Sequence, residues 1–192
     1  MKRFARLFRQ IDGTTRTSVK VAALADYFRE APEQDRLWTI ALFSGRRPRR
    51  AVTTTLLRLW AAETAGLPLW LIEESHPIVG DLAETIALTL PPATEETDQT
   101  LSFWINVLQD ISKASDEEKK AAITRAWTQL NTTERFLFNK LITGGFRVGV
   151  SQKLTTRALA LATGYDEPDL AHRLMGDWTP DTTSWHDLIE AE

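Results

Sequence analysis

A glycine-rich, basic segment in the second half of the chain has the residue types of a phosphate-binding turn. Residues 140–157 read KLITGGFRVGVSQKLTTR. Gly144, Gly145 and Gly149 allow backbone angles that other residues avoid and let a ligand approach the backbone closely. Ser151 is a typical N-cap, so the helix after it would present free backbone N–H groups to an anion. A helix–turn–helix corner whose glycines serve packing explains the segment equally well.

The segment has a counterpart in the first half of the chain. Residues 41–45 (ALFSG) match residues 140–144 (KLITG), and the match continues on both sides at nearly the same offset. A polar, proline-led linker lies where two such copies would meet. We therefore predict two copies of one helical unit, residues 1–90 and 101–192, joined by residues 91–100 and related by a pseudo-twofold axis.

Positive charge is concentrated at the two matching segments, although the formal net charge of the chain is −3. Residues 44–60 and residues 135–157 each hold five arginines or lysines and no acidic residue. The rest of the chain is strongly acidic. This distribution favours an anionic partner at the two segments, and the distribution matters more than the total charge.

Apolar residues recur at helical spacing along the chain, so the sequence predicts an all-α domain of about 10–12 helices. Thr53 is the expected N-cap of the helix after the first basic segment, because Pro48 keeps residues 46–50 out of a helix. His76 and Pro77 are predicted to form a loop. Helices are predicted near residues 3–11, 18–30, 33–43, 53–66, 67–72, 81–90, 101–112, 116–130, 132–143, 151–163, 167–175 and 184–191.

Other kinds of functional site find little support in the sequence. The chain has no cysteine, so disulfides and thiolate metal sites are excluded, and its three histidines have no partner at metal-ligand spacing. We predict no metal site. No apolar run is long enough for a signal peptide or a membrane helix. We expect a cytoplasmic monomer without a membrane contact.

Phe146 stands out because it lies inside the glycine-rich turn. Its ring could pack back onto the protein core, or it could lie against a sugar or base edge of a nucleic acid. Packing onto the core is the favoured interpretation.

Three motifs together carry a resemblance to a known family. Residues 143–153 (TGGFRVGVSQK), 43–50 (FSGRRPRR) and 79–85 (VGDLAET) resemble the N-terminal DNA-binding domain of ATP-dependent DNA ligases, most closely the bacterial branch. The resemblance covers essentially the whole chain. It implies a twofold-repeated helical domain that sits over the minor groove opposite a nick, in an enzyme of DNA replication, repair and recombination.

The resemblance also implies which residues bind duplex DNA. In that family the two turns contact the DNA backbone, so sequence preference should be weak. Together with the helix cap at 53, the predicted DNA-binding residues are Arg46, Arg47, Arg49, Arg50, Thr53, Gly144, Gly145, Phe146, Arg147, Gly149, Ser151, Gln152 and Lys153.

The chain departs from the family at the catalytic motif. Such ligases attach AMP to the lysine of a Lys-x-Asp-Gly motif, and residues 10–13 (QIDG) have glutamine at the lysine position. We therefore expect this chain to lack the adenylation and OB-fold domains and to be inactive alone. The family resemblance implies that ATP and Mg²⁺ bind the catalytic domains, which would be its partners, and that this chain takes no cofactor.

Two alternatives to DNA binding remain open at this point. A helical-repeat scaffold that binds another protein would also have two copies and a polar linker. Such a scaffold gives no reason for acidic residues to be missing from both equivalent turns. A small helical enzyme is the third alternative, and the sequence offers it no catalytic constellation.

Overall fold

The chain is all helical in the computed structural model, which describes residues 1–146 and 148–192. These residues form eleven α-helices, one short π-helix and no strand, so the predicted fold class and helix number are confirmed. The helices are α1 (Lys2–Asp12), α2 (Thr17–Glu30), α3 (Glu33–Phe43), α4 (Thr54–Ala65), α5 (Leu69–Val79), α6 (Leu82–Thr89), α7 (Leu101–Asp110), α8 (Asp116–Gln129), α9 (Thr132–Thr143), α10 (Gln152–Thr163), α11 (Glu167–Leu174) and the π-helix (His186–Glu190).

The helices are grouped into two compact units that interleave along the sequence. We call Met1, Arg47–Gln99 and Phe103–Gly145 the central unit. It contains all of α4, α5, α6, α8 and α9, and most of α7. We call Lys2–Arg46, Thr100–Ser102 and Phe146–Glu192 the terminal unit; it contains α1–α3, α10, α11 and the π-helix. Each unit therefore combines helices from both predicted copies. The pseudo-twofold repeat itself stays a prediction.

The core of the terminal unit is formed mainly by α1, α2, α3 and α10. Phe4, Leu7 and Ile11 recur on one face of α1, and all three are buried. Helix α2 packs extensively along α10. A guanidinium N–H of Arg29 adds a hydrogen bond of 3.0 Å to the carbonyl oxygen of Leu161, which ties α2 to the last turns of α10.

A buried carboxylate fixes the start of α7 within the terminal unit. Asp35 is 5% exposed and accepts hydrogen bonds from the backbone N–H groups of Leu101 at 3.3 Å and Ser102 at 2.9 Å. The Ser102 hydroxyl also donates to this carboxylate. Negative charge is stabilised at a helix N-terminus, so the bonds compensate for burying Asp35.

The core of the central unit is held together by α6, α8 and α9. The indole N–H of Trp127 donates to Oδ1 of Asn139 at 2.8 Å, and Nδ2 of Asn139 donates to the Ala83 carbonyl at 3.2 Å. The three residues join the three helices. Arg135 is also buried and donates its Nε–H to the Trp127 carbonyl at 2.7 Å. Burial lowers the pKa of the Arg135 guanidinium.

The structure corrects one local prediction, the loop at His76 and Pro77. Helix α5 runs through both residues and ends at Gly80, which has a positive φ of 88°. Pro77 removes one backbone donor, but the Gly80 N–H bonds the His76 carbonyl at 2.7 Å and closes the last turn. The prediction was wrong because a proline this close to a helix C-terminus costs a single hydrogen bond.

Candidate nucleic-acid interface

Part of each predicted turn lies in the central unit, where Arg47 of the first turn meets Gly144 of the second. A Cβ atom placed on Gly144 would lie 1.3 Å from Nη1 of Arg47 and 2.6 Å from its Cζ. The Arg47 guanidinium therefore occupies the space that any larger residue at 144 would need. Gly144 also has a φ of 87°, which disfavours other residues independently.

Arg49, Arg50 and the start of α4 form the rest of the central unit's predicted site. Both arginines are exposed, and neither forms a hydrogen bond or ion pair with another residue that the structure describes. Pro48, Ala51 and Val52 are buried and anchor the segment that carries them. The arginine side chains are therefore free to meet an external anion.

Helix α4 begins as the sequence predicts. The Thr53 hydroxyl accepts the Leu56 N–H at 3.3 Å, so Thr53 is the N-cap. The two N–H groups before Leu56 find no acceptor within a regular helix. The first turn of α4 contains no acidic residue. This helix start therefore leaves backbone donors available to an anion.

Helix α10 begins in the same way in the terminal unit. The Ser151 hydroxyl accepts the Leu154 N–H at 3.2 Å, and no acidic residue lies in the first turn. Gln152 and Lys153 are exposed, and their N–H groups occupy the unbonded first helical positions. Gly149, two residues before the cap, has a φ of 64°.

Two residues of the predicted site are held by contacts within the terminal unit. Arg46 donates to the Gly176 carbonyl at 3.2 Å and to the Trp178 carbonyl, and its guanidinium lies 4.6 Å from the Trp178 ring centroid. The ring of Phe146 packs edge-on against Phe4, with 5.9 Å between centroids. The favoured prediction for Phe146, packing onto the core, agrees with this contact.

Two lysines change the composition of the candidate site. Lys140 lies in the second basic segment, but its ammonium forms an ion pair with Asp81 in the central unit, which offsets its charge. Lys20 was not predicted, because it lies outside both acid-free segments. Its Nζ donates to the Gly149 carbonyl at 3.0 Å in the terminal unit. No sequence signal pairs Lys20 with a turn 129 residues away.

Arg147 belongs to the predicted site but lies outside the described residues. Within the described ranges, no three histidine, aspartate or glutamate side chains come together as metal ligands. None of the helices described is both long enough and apolar enough to cross a lipid bilayer. Each unit thus offers basic side chains, a positive-φ glycine and one capped helix start as candidate binding groups.

Comparison with known proteins identifies the family. No curated protein matches the sequence. A family model described as the DNA ligase N terminus matches residues 1–160, which include all three sequence motifs and every predicted DNA-binding residue. The match covers most of the chain and confirms the resemblance found in the sequence. The chain belongs to the family of DNA ligase N-terminal domains.

Proposed function

We propose that this chain binds duplex DNA, nicked DNA included, through the sugar–phosphate backbone at the minor groove. It would do so with little sequence preference, as the DNA-binding part of an ATP-dependent DNA ligase. Family membership supports a role in DNA ligation. The proposal for the binding mode depends chiefly on one observation: each unit presents a hydroxyl-capped helix start without acidic residues, at α4 and at α10.

These helix starts suit phosphate groups better than base edges. Free N–H groups and the positive end of a helix dipole attract anions whatever the base sequence is. Arg49 and Arg50 add exposed cations beside α4, and Lys153 adds one at the start of α10. Contacts of this kind fix position on the duplex without reading sequence. Weak sequence preference follows from the chemistry of the donors.

The start of α8 lacks this character. Helix α8 is also capped by a serine, Ser115, but its first turn contains Asp116, Glu117 and Glu118. Those carboxylates would repel a phosphate. Helices α1 and α2 also begin beside cations and without acidic residues, but no side-chain cap is seen at the start of α2. Among the described helices, α4 and α10 combine a hydroxyl cap, an acid-free first turn and a nearby cation.

A salt titration of duplex binding tests the proposal directly. If about four to six cations meet phosphates, log K against log[salt] should have a slope of roughly −4 to −5. Two labelled duplexes of unrelated sequence should give nearly equal affinities. A slope near zero, or no binding at low salt, would contradict the proposal.

Charge reversal locates the binding surface in the same assay. Arg50→Glu should weaken binding strongly and make the salt slope shallower by roughly one for each lost phosphate contact. Arg125→Glu is the matched control, because Arg125 is also an exposed arginine of the central unit and lies on α8. Equal losses in the two variants would mean that net charge, not the proposed site, governs binding.

Protein binding remains a second candidate function, and one observation favours it. Trp70 is 57% exposed and Ile78 is 87% exposed, both on α5 of the central unit. Large exposed apolar side chains are typical of protein contact sites. The catalytic domains of a ligase would be suitable partners. If α5 serves a protein contact, Trp70→Ser should leave DNA affinity unchanged. Arg50→Glu should lower DNA affinity.

A further inference from the structure

We infer that Lys20 is a positioning residue that orders the glycine turn before α10 for DNA binding, an inference that rests on the proposed function. Lys20 lies in the first turns of α2, and its Nζ donates to the Gly149 carbonyl oxygen at 3.0 Å. A Cβ atom on Gly149 would lie 3.0 Å from the same Nζ. The ammonium therefore lies close against the backbone of the turn.

The turn has few other constraints of its own. Among the described residues, the segment 145–150 takes part in no backbone–backbone hydrogen bond. Its side-chain anchors are Phe146, which packs on Phe4, and the buried Val148. Gly149 follows these anchors and is exposed. The bond from Lys20 connects Gly149, in the last part of the turn, to α2.

Restricting this segment in advance should favour DNA binding. Ordering a backbone segment on binding reduces affinity. The bond from Lys20 already holds Gly149 before DNA arrives. It also places a positive charge against a carbonyl oxygen whose partial negative charge would repel a phosphate near Ser151. Lys20 acts through the turn and does not itself need to touch DNA.

Substitution of Lys20 separates this role from a direct phosphate contact. Lys20→Met removes the donor and the charge, and should weaken binding of a labelled duplex about three- to tenfold while the salt slope stays unchanged. Lys20→Arg keeps a donor and should restore most of the affinity. Lys113→Met is the matched control, because Lys113 is exposed and distant in sequence from both turns; its affinity should equal that of the wild type.

Two further measurements connect Lys20 to the turn itself. In the free protein, amide hydrogen exchange in residues 148–151 should be faster in Lys20→Met than in the wild type, while the melting temperature changes little. In a double-mutant cycle, Lys20→Met should weaken DNA binding much less in the Gly149→Ala protein than in the wild type, because both substitutions disturb the same contact. Independent sites would instead give additive losses.

Several outcomes would overturn the inference. A salt slope that becomes shallower by about 0.9 in Lys20→Met would show that Lys20 meets a phosphate directly. Unchanged exchange in residues 148–151, or failure of Lys20→Arg to bind better than Lys20→Met, would show that the hydrogen bond has no positioning role. If the wild type binds no duplex at low salt, the proposed function fails and the inference fails with it.

Discussion

At the scale of single residues, the pairing of Arg47 with Gly144 is the most specific feature of the candidate site. The two residues come from different predicted turns, and the guanidinium fills the volume next to the Gly144 α-carbon. A glycine that appeared to serve backbone flexibility therefore also makes room for a cation. Position 144 requires both a positive φ and space for the Arg47 guanidinium, and glycine is the residue that meets both conditions. Substitution of Gly144 therefore tests the role of Arg47.

We predict that Gly144→Ala lowers DNA affinity by displacing Arg47. The new methyl group would overlap the guanidinium, and the backbone angles of Gly144 (φ 87°, ψ 165°) add strain of about 1–3 kcal/mol. The chain should remain folded, because a strain of this size is well below the stability of a typical domain. A duplex titration measured beside a thermal melt checks both parts of the prediction.

Gly66→Ala provides the matched control for strain alone. Gly66 has a φ of 67° in the same unit, and a Cβ atom placed there would meet nothing within 4 Å. This variant should lose less stability than Gly144→Ala, because alanine tolerates the αL angles of Gly66 (φ 67°, ψ 31°) better than those of Gly144 (φ 87°, ψ 165°), and it should keep its DNA affinity. If the two variants lose affinity equally, strain explains the loss and the displacement of Arg47 does not.

At the scale of helices, the starts of α4 and α10 carry the proposed function. Thr53 and Ser151 cap them with hydroxyl groups, and both first turns lack acidic residues. A cap orders the first helical turn and so fixes the direction of the remaining free N–H groups. If these helix starts bind phosphate as proposed, each hydroxyl contributes both to stability and to DNA binding.

We predict that Ser151→Ala lowers the free energy of unfolding by about 1 kcal/mol and also weakens DNA binding about two- to tenfold. Ser115→Ala is a close control, because Ser115 caps α8 with the same 3.2 Å geometry. It should cost similar stability without any change in affinity. Denaturant unfolding and duplex titration of both variants decide the matter, and equal affinity losses would remove α10 from the binding site.

At the scale of the whole molecule, positive charge is concentrated in two segments of the sequence. Ten basic residues lie in two acid-free segments of a chain whose net charge is −3. The Lys-x-Asp-Gly motif that would accept AMP does not occur in the sequence. If the chain binds DNA as proposed, its contribution to ligation is to position the duplex.

We predict that the purified chain forms no covalent AMP adduct and seals no nick. Nucleotidyl transfer needs an activated nucleophile, and Lys140, which lies in the second basic segment, is paired with Asp81. Incubation with labelled ATP and Mg²⁺, followed by denaturation, checks this. A labelled band that maps to one lysine would contradict the prediction. Addition of the chain to ligase catalytic domains should raise nick sealing.

The sequence by itself determined the helices, their caps and the family. Apolar spacing of period 3.6, together with Thr53 and Ser151 at N-cap positions, depends on local physical chemistry that short segments contain in full. The acid-free segments were also visible in the sequence, because charge content needs no coordinates. Pro77 misled the prediction, since the effect of a proline depends on how near the helix end lies.

The tertiary structure decided how the predicted residues are used. It grouped helices of both sequence halves into each unit, placed Arg47 against Gly144, and paired Lys140 with Asp81. It also brought Lys20 to a turn 129 residues away. Such pairings depend on how α2 and α10 pack, and a contact between residues distant in sequence leaves no mark on the local pattern of either one.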